Sequence, residues 1–168
     1  MIEMDKIIFL DIDGVLNSNF WNDSHQREIS DGTLIDKDKV ILLGGLVKNT
    51  GAKIVLHSGW RFWFDDNIEP LRTESAKLTE MFLECSMKIF DITPDYATED
   101  IKKMKKFSLI KANEILSWLE LHEGVKKWIV IDDLDLHNEL ILQHQIKTNQ
   151  TVGLTKQDIE KAEKMLLA

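Results

Sequence analysis

Three short apolar runs in this sequence each end in groups that can do chemistry. Ile7-Ile8-Phe9-Leu10 runs into Asp11-Ile12-Asp13-Gly14-Val15-Leu16-Asn17, and Lys53-Ile54-Val55-Leu56 runs into His57-Ser58-Gly59-Trp60-Arg61. Trp128-Ile129-Val130-Ile131 runs into Asp132-Asp133-Leu134-Asp135. Carboxylates gathered at one edge repel each other and hold their protons more tightly unless a cation lies among them. Hard oxygen ligands of this kind suit Mg2+, which keeps positions free for water and a substrate phosphate. An Asp beside such an ion, here Asp11, can attack phosphorus and form an aspartyl-phosphate. Asp13 points to a different side of the chain end and can protonate a leaving oxygen, then activate water. Gly14 lets the backbone leave the run sharply and approach a ligand closely. Ser58 offers a hydroxyl to phosphoryl oxygens, which also need a positive charge nearby. A lone Asp-x-Asp is weak evidence, because carboxylates also cap helices and close turns; three strand ends with complementary groups form a far more specific pattern.

The elements that must position these groups alternate along the chain. The three apolar runs have the pattern of strands buried on both faces. Between them, Val40, Leu43, Leu46 and Val47 recur at helical spacing after Asp36, a candidate N-cap. Leu78, Met81, Phe82 and Cys85 make a second stripe, and Leu109, Ile110, Ile115, Leu116 and Leu119 a stronger one. Thr155 and Asp158 read as a capping box before Ile159, Ala162, Met165 and Leu166. Segments 18–35 and 86–106 read as irregular. The pattern predicts an α/β, three-layer Rossmann-like fold: a central parallel sheet with helices on both faces. In such sheets ligands bind outside the carboxyl ends of the strands, where the acidic groups fall. With no linker-like tract or repeat, residues 1–168 read as one domain.

The order of these parts resembles the haloacid dehalogenase-like (HAD) superfamily of phosphohydrolases. Phe9 to Asn17 resembles its first motif, an apolar strand followed by D-x-D-G. Ile54 to Arg61 resembles the second, a strand ending in Ser or Thr, and Val130-Ile131-Asp132-Asp133 the acidic fourth. Lys111, heading Lys111-Ala112-Asn113-Glu114-Ile115-Leu116, is the choice for the third, with Lys105 and Lys106 as competitors. The resemblance implies an enzyme, a Mg2+-dependent phosphoric monoester hydrolase, with Asp11 as nucleophile and metal ligand. Asp13 would be the acid/base and lend its carbonyl to the metal, and Ser58 and Lys111 would hold the phosphoryl group. Asp133 would complete the metal site while Asp132 orients Lys111, or the two would exchange roles; Asp135 stands in reserve. Members resembling dehalogenases depart at the second Asp, so Asp13 favours phosphate-ester hydrolysis.

HAD-like enzymes often carry a cap domain after the first motif or between the second and third. The stretches from Asp13 to Ser58 and from Ser58 to Lys111 must already supply helices and a strand, so no large cap is expected. An open site suits a phosphorylated substrate that is large, a phosphoprotein or nucleic-acid end, or else a nucleotide. Gly14, Gly59, Arg61 and Trp63 are the candidate substrate-binding residues. In one reading the aromatic clusters Phe20-Trp21 and Trp60-Arg61-Phe62-Trp63-Phe64 pack the sheet edge. In the other they stack on the substrate while Arg61 meets a distal phosphate.

Composition sets outer bounds. A formal net charge of −8 argues against wrapping duplex nucleic acid. Lys102, Lys103, Lys105 and Lys106 are a local exception, either a solvated face or a positive rim for an anionic substrate. The longest apolar runs are too short to span a bilayer, and the first residues do not read as a signal peptide; a cytoplasmic location is the expectation. Cys85, the single cysteine, reads as a buried, silent thiol. His25, His57, His122, His137 and His144 show no metal-ligand spacing, though His57 adjoins Ser58. Three rival readings fit the same residues: a receiver-type phospho-acceptor domain, a non-catalytic binding module on the same fold, and phosphotransfer to an acceptor other than water. The position of D-x-D-G after the first strand argues against the receiver.

Overall fold

A computed structural model of the chain describes residues 6–18, 35–96 and 107–168, with backbone alone at 107 and 108. The β-branched run Lys6–Leu10 forms β1, followed by helix α1 (Lys37–Thr50), β2 (Lys53–Leu56), a 3-10 turn (Gly59–Trp63) and α2 (Thr73–Glu84). Then come β3 (Ile89–Ile92), α3 (Phe107–Glu120), β4 (Lys127–Asp132), a one-turn α4 (Glu139–Leu142), β5 (Gln145–Lys147) and α5 (Lys156–Leu167). The strands form a five-stranded sheet in the order β3-β2-β1-β4-β5, with every pairing parallel. The first strand is central: Phe9 pairs with Val55 on one side and Val130 on the other.

Alternation along β1 divides the core. Ile8 and Leu10 face α1, α2 and α5 through Val40, Leu43, Leu46, Leu78, Phe82, Ala162 and Leu166. Ile7 and Phe9 face the other way, against Ala112, Ile115 and Trp118 of α3 and Ile141 of α4. Both faces are therefore covered, which is why the strand reads as an unbroken apolar run. Phe9 meets Trp118 edge-on, ring centroids 5.4 Å apart at 86°. Burying a side chain of that size contributes about 1.5–3 kcal/mol.

The helix ends follow the expected caps. Asp36 accepts from the Asp38 amide, and Thr155 and Asp158 close a reciprocal box at the start of α5. Three expectations need correction. Segment 86–106 contains β3, an edge strand whose half-buried residues and internal Asp91 hide its pattern. On the inner face of α3 the expected Ile110 and Ile115 are buried and Leu116 and Leu119 pack beside them, but Ala112 and Trp118 join them and Leu109 is exposed. Cys85 is half-buried at the end of α2 rather than buried, and it is a free thiol. Phe20, Trp21, His25 and the lysines from 102 to 106 lie outside the described residues. No cap-sized unit is present among the described residues, and none of their helices is long and apolar enough to cross a membrane.

Candidate active site

Hydrogen bonds beyond the strand ends hold the chemical groups in register. The Asp11 amide donates to the Ile131 carbonyl at 3.0 Å, and the His57 amide to the Leu10 carbonyl at 2.7 Å. The Thr148 amide likewise donates to the Asp132 carbonyl at 3.1 Å. The residues following β1, β2 and β4 thus emerge side by side at one edge. They meet in an open depression of about 400 Å3 lined by Asp11, Asp13, Gly14, Asn17, Ser58, Gly59, Lys111, Asp133, Leu134 and Gln150.

Asp11, Asp132 and Asp133 can present carboxylate oxygens within 4.8 Å of one another. Burial pushes the Asp11 carboxyl well above its ordinary value, and repulsion from Asp132 adds to the shift, with Lys111 opposing. Burial also raises Asp133, which shares a hydrogen bond with Asp11. Carboxylates this close, with one ammonium among them, form a set of hard oxygen donors whose negative charge a divalent cation would compensate.

Lys111, in the second turn of α3, supplies that ammonium. Its Nζ donates to Asp132 Oδ2 at 2.8 Å and lies 3.8 Å from Asp11 Oδ2. Burial alone would lower the lysine, but Asp11 and Asp132 outweigh it and hold it above its ordinary value, so it stays charged. Asp132 is fully buried, with its other oxygen accepting from the Leu134 amide at 2.9 Å. Asp133 is only partly buried and lines the depression. The two neighbouring carboxylates are thereby differentiated: one is occupied by lysine and backbone, the other faces the depression.

The turn after β1 is fixed by side chains the sequence reading did not single out. Asn17 Oδ1 accepts from the Gly14 amide at 2.9 Å, and its Nδ2 donates to Asp13 Oδ1 at 3.0 Å. Asp13 is exposed, so Asn17 holds it at the mouth of the depression. Gly14 has φ +82°, and the Thr148 hydroxyl donates to its carbonyl at 2.8 Å. An Asn four residues after Asp13 in a turn is a recognisable local brace. Gln150, in the loop after β5, had no comparable signal.

Ser58 is buried as the N-cap of the 3-10 turn, its Oγ accepting from the Trp60 amide at 3.2 Å. His57 points away into the protein: it is fully buried, with Nδ1 2.8 Å from Thr93 Oγ1. Burial, reinforced by Lys111 and Arg61, holds its pKa well below the ordinary value, and it is a neutral ring.

Arg61 and Trp63, for which packing and substrate contact were both open, occupy packed positions. Neither lines the depression. The Arg61 guanidinium is buried and donates to Glu114 Oε2 at 2.8 Å, because its long stem runs inward to an anion on α3 rather than out to a ligand. Trp63 packs on Trp60, centroids 4.8 Å apart, under the guanidinium of Arg72. Their neighbours make them parts of the protein interior and its rim. Gly14, Gly59, Asp11, Asp13, Ser58, Lys111 and Asp133 do come together, with Asp132 directly behind.

No curated protein and no solved structure matches the chain. A family model described as "HAD domain in Swiss Army Knife RNA repair proteins" matches residues 7–159, from β1 through the start of α5. The match takes in every strand of the sheet and all the motifs that gather at its edge, and on that span the chain belongs to this family of HAD domains.

Proposed function

We propose that the chain is a Mg2+-dependent phosphatase acting through an aspartyl-phosphate on Asp11, and that its substrate is a phosphorylated polynucleotide end. The observation supporting this most strongly is the placement of Asp11: a buried carboxylate 3.8 Å from the Lys111 ammonium, opening onto a depression shared with Ser58 and Asp13. The family's description as RNA repair proteins supports RNA as the substrate class.

In this reading Asp11 and Asp133 hold the metal and Asp132 keeps Lys111 extended. Bound Mg2+ would neutralise the paired carboxylates and draw charge from the phosphoryl oxygens. Lys111 and Ser58 orient the phosphoryl group by its remaining oxygens. An Asp11 oxygen bonds to phosphorus as the ester oxygen departs with the proton of Asp13. Asp13, now ionised, takes a proton from water, whose oxygen attacks the acyl phosphate and releases inorganic phosphate and the Asp11 carboxylate. The open depression leaves room for a long substrate to approach.

The test is phosphate release from a panel comprising nucleotides, sugar phosphates, phosphopeptides and phosphorylated oligoribonucleotides. The oligoribonucleotide ends should have the highest kcat/KM. Preference for a phosphopeptide or a sugar phosphate would contradict the substrate assignment.

A further inference from the structure

Arg61 joins the turn that carries Ser58 to the helix that carries Lys111. Its backbone amide donates to the Ser58 carbonyl at 3.0 Å, closing the 3-10 turn. Its Nη2 donates to Glu114 Oε2 at 2.8 Å, one helical turn beyond Lys111 on α3. The Tyr96 amide donates to the same Glu114 oxygen at 2.9 Å, tying in the segment that leaves β3. Both side chains are sequestered, at 8% exposure for Arg61 and 1% for Glu114. Burial raises the Glu114 carboxyl, while the Tyr96 amide and Arg61 pull it back.

A buried ion pair is a poor device for stability alone, since apolar residues of similar volume do as well or better. Its distinctive property here is linkage, because one Glu114 oxygen takes both the Arg61 Nη2 from the Ser58 turn and the Tyr96 amide from the segment after β3. We propose that Arg61 and Glu114 are a positioning pair that sets the Ser58 turn against the Lys111 helix, so that hydroxyl and ammonium meet one phosphoryl group. The proposal rests on the phosphatase reading for its catalytic consequence, though not for its structural one. The pair acts on alignment alone and touches no substrate, so its loss should weigh on kcat more than on KM and equally on all substrates.

The test uses the full chain and two substrates, para-nitrophenyl phosphate and a phosphorylated oligoribonucleotide. Arg61→Met combined with Glu114→Met removes both charges and fills their space. Its kcat should fall about tenfold or more on both substrates, by the same factor, with KM changed less. Glu114→Gln keeps an oxygen for both donors and should retain kcat within about threefold. Arg61→Lys keeps the charge but not the length and the directed Nη2 donor that reach Glu114, and should lose kcat about threefold to tenfold, providing the decisive arm where the double variant does not fold. Unaltered kcat in the double variant or in Arg61→Lys would overturn the proposal. So would a loss confined to the oligoribonucleotide, which would make Arg61 a substrate contact. Should the unaltered chain release no phosphate from any compound, the phosphatase reading fails and amide exchange decides the structural claim. Exchange at Trp60 and Tyr96 should quicken about tenfold or more when the pair weakens, in the double variant or Arg61→Lys. Unchanged exchange would overturn it.

Discussion

A side chain begun at Gly14 would lie 2.6 Å from both Cγ and Oδ2 of Asp133, so the turn after β1 and the carboxylate after β4 fit together only without a Cβ. Gly14 also has φ +82°, a conformation costing an L-residue about 1–2 kcal/mol. Gly14→Ala should therefore lower the melting temperature and weaken Mg2+ binding by displacing Asp133. Gly59, with nothing within 4 Å of its would-be Cβ, is the stability control. Gly59→Ala should stay within about 0.5 kcal/mol of the unaltered chain. Thermal melts and a Mg2+ titration of the variants check both.

Removing Lys111 should cost stability as well as activity. Lys111→Met leaves the fully buried Asp132 without its 2.8 Å partner. Stranding a buried charge costs about 3–5 kcal/mol, the lower figure applying here because the lysine is partly solvated. The activity should fall about a hundredfold or more, as when a donor to a transition state's charged oxygen is lost. Urea unfolding and steady-state kinetics on an aryl phosphate measure the two effects separately.

Without divalent cations, Asp11 should work against the fold at neutral pH. Its pKa, and that of Asp133, is raised in the folded protein, so the folded state binds more protons than the unfolded one. Stability is then fully present below the ordinary carboxylate range and lost as pH rises through the raised values. In chelator, Asp11→Asn should melt higher than the unaltered chain, with a gap that widens from mildly acidic to neutral pH. Its size should be about 1–3 kcal/mol, and Mg2+ should narrow it. A melting series against pH, with and without Mg2+, reads this directly. A gap that shrinks as pH rises would contradict the sign.

Trp63→Ala should affect the fold rather than substrate binding. The ring packs on Trp60 and beneath Arg72, away from the depression. Half-buried, it should cost about 2 kcal/mol on truncation, with KM for an oligoribonucleotide and for a small aryl phosphate changed by the same factor. A rise in KM for the oligoribonucleotide alone would restore the stacking role considered from sequence.

Strands buried on both faces were the most legible part of the fold, because Ile7 to Leu10, Ile54 to Leu56 and Ile129 to Ile131 leave no polar position to blur the pattern. The N-cap at Asp36 and the box at Thr155 and Asp158 were equally legible, being local hydrogen bonds between near neighbours. The edge strands were not: Gln145-Ile146-Lys147 has one buried residue, and Ile89–Ile92 has none. At the site, the acidic residues could be located because each follows an apolar run. Arg61 could not, since its partner Glu114 lies 53 residues away and nothing local says which way a long cation turns. Lys111 lies on α3 beside Asp11 and Asp132, a placement no local pattern around a lysine announces, and Lys105 and Lys106 lie outside the described residues.

The central claim, nucleophilic attack by Asp11, is tested most directly by phosphate release from para-nitrophenyl phosphate in the Asp11→Asn protein. The side chain keeps its shape and the folded protein should be no less stable, so lost activity would report on chemistry. The unaltered chain should release phosphate with Mg2+ and cease on chelation, while Asp11→Asn should remain at the background rate at every Mg2+ concentration. Mg2+-dependent release by Asp11→Asn at the unaltered rate would contradict the account.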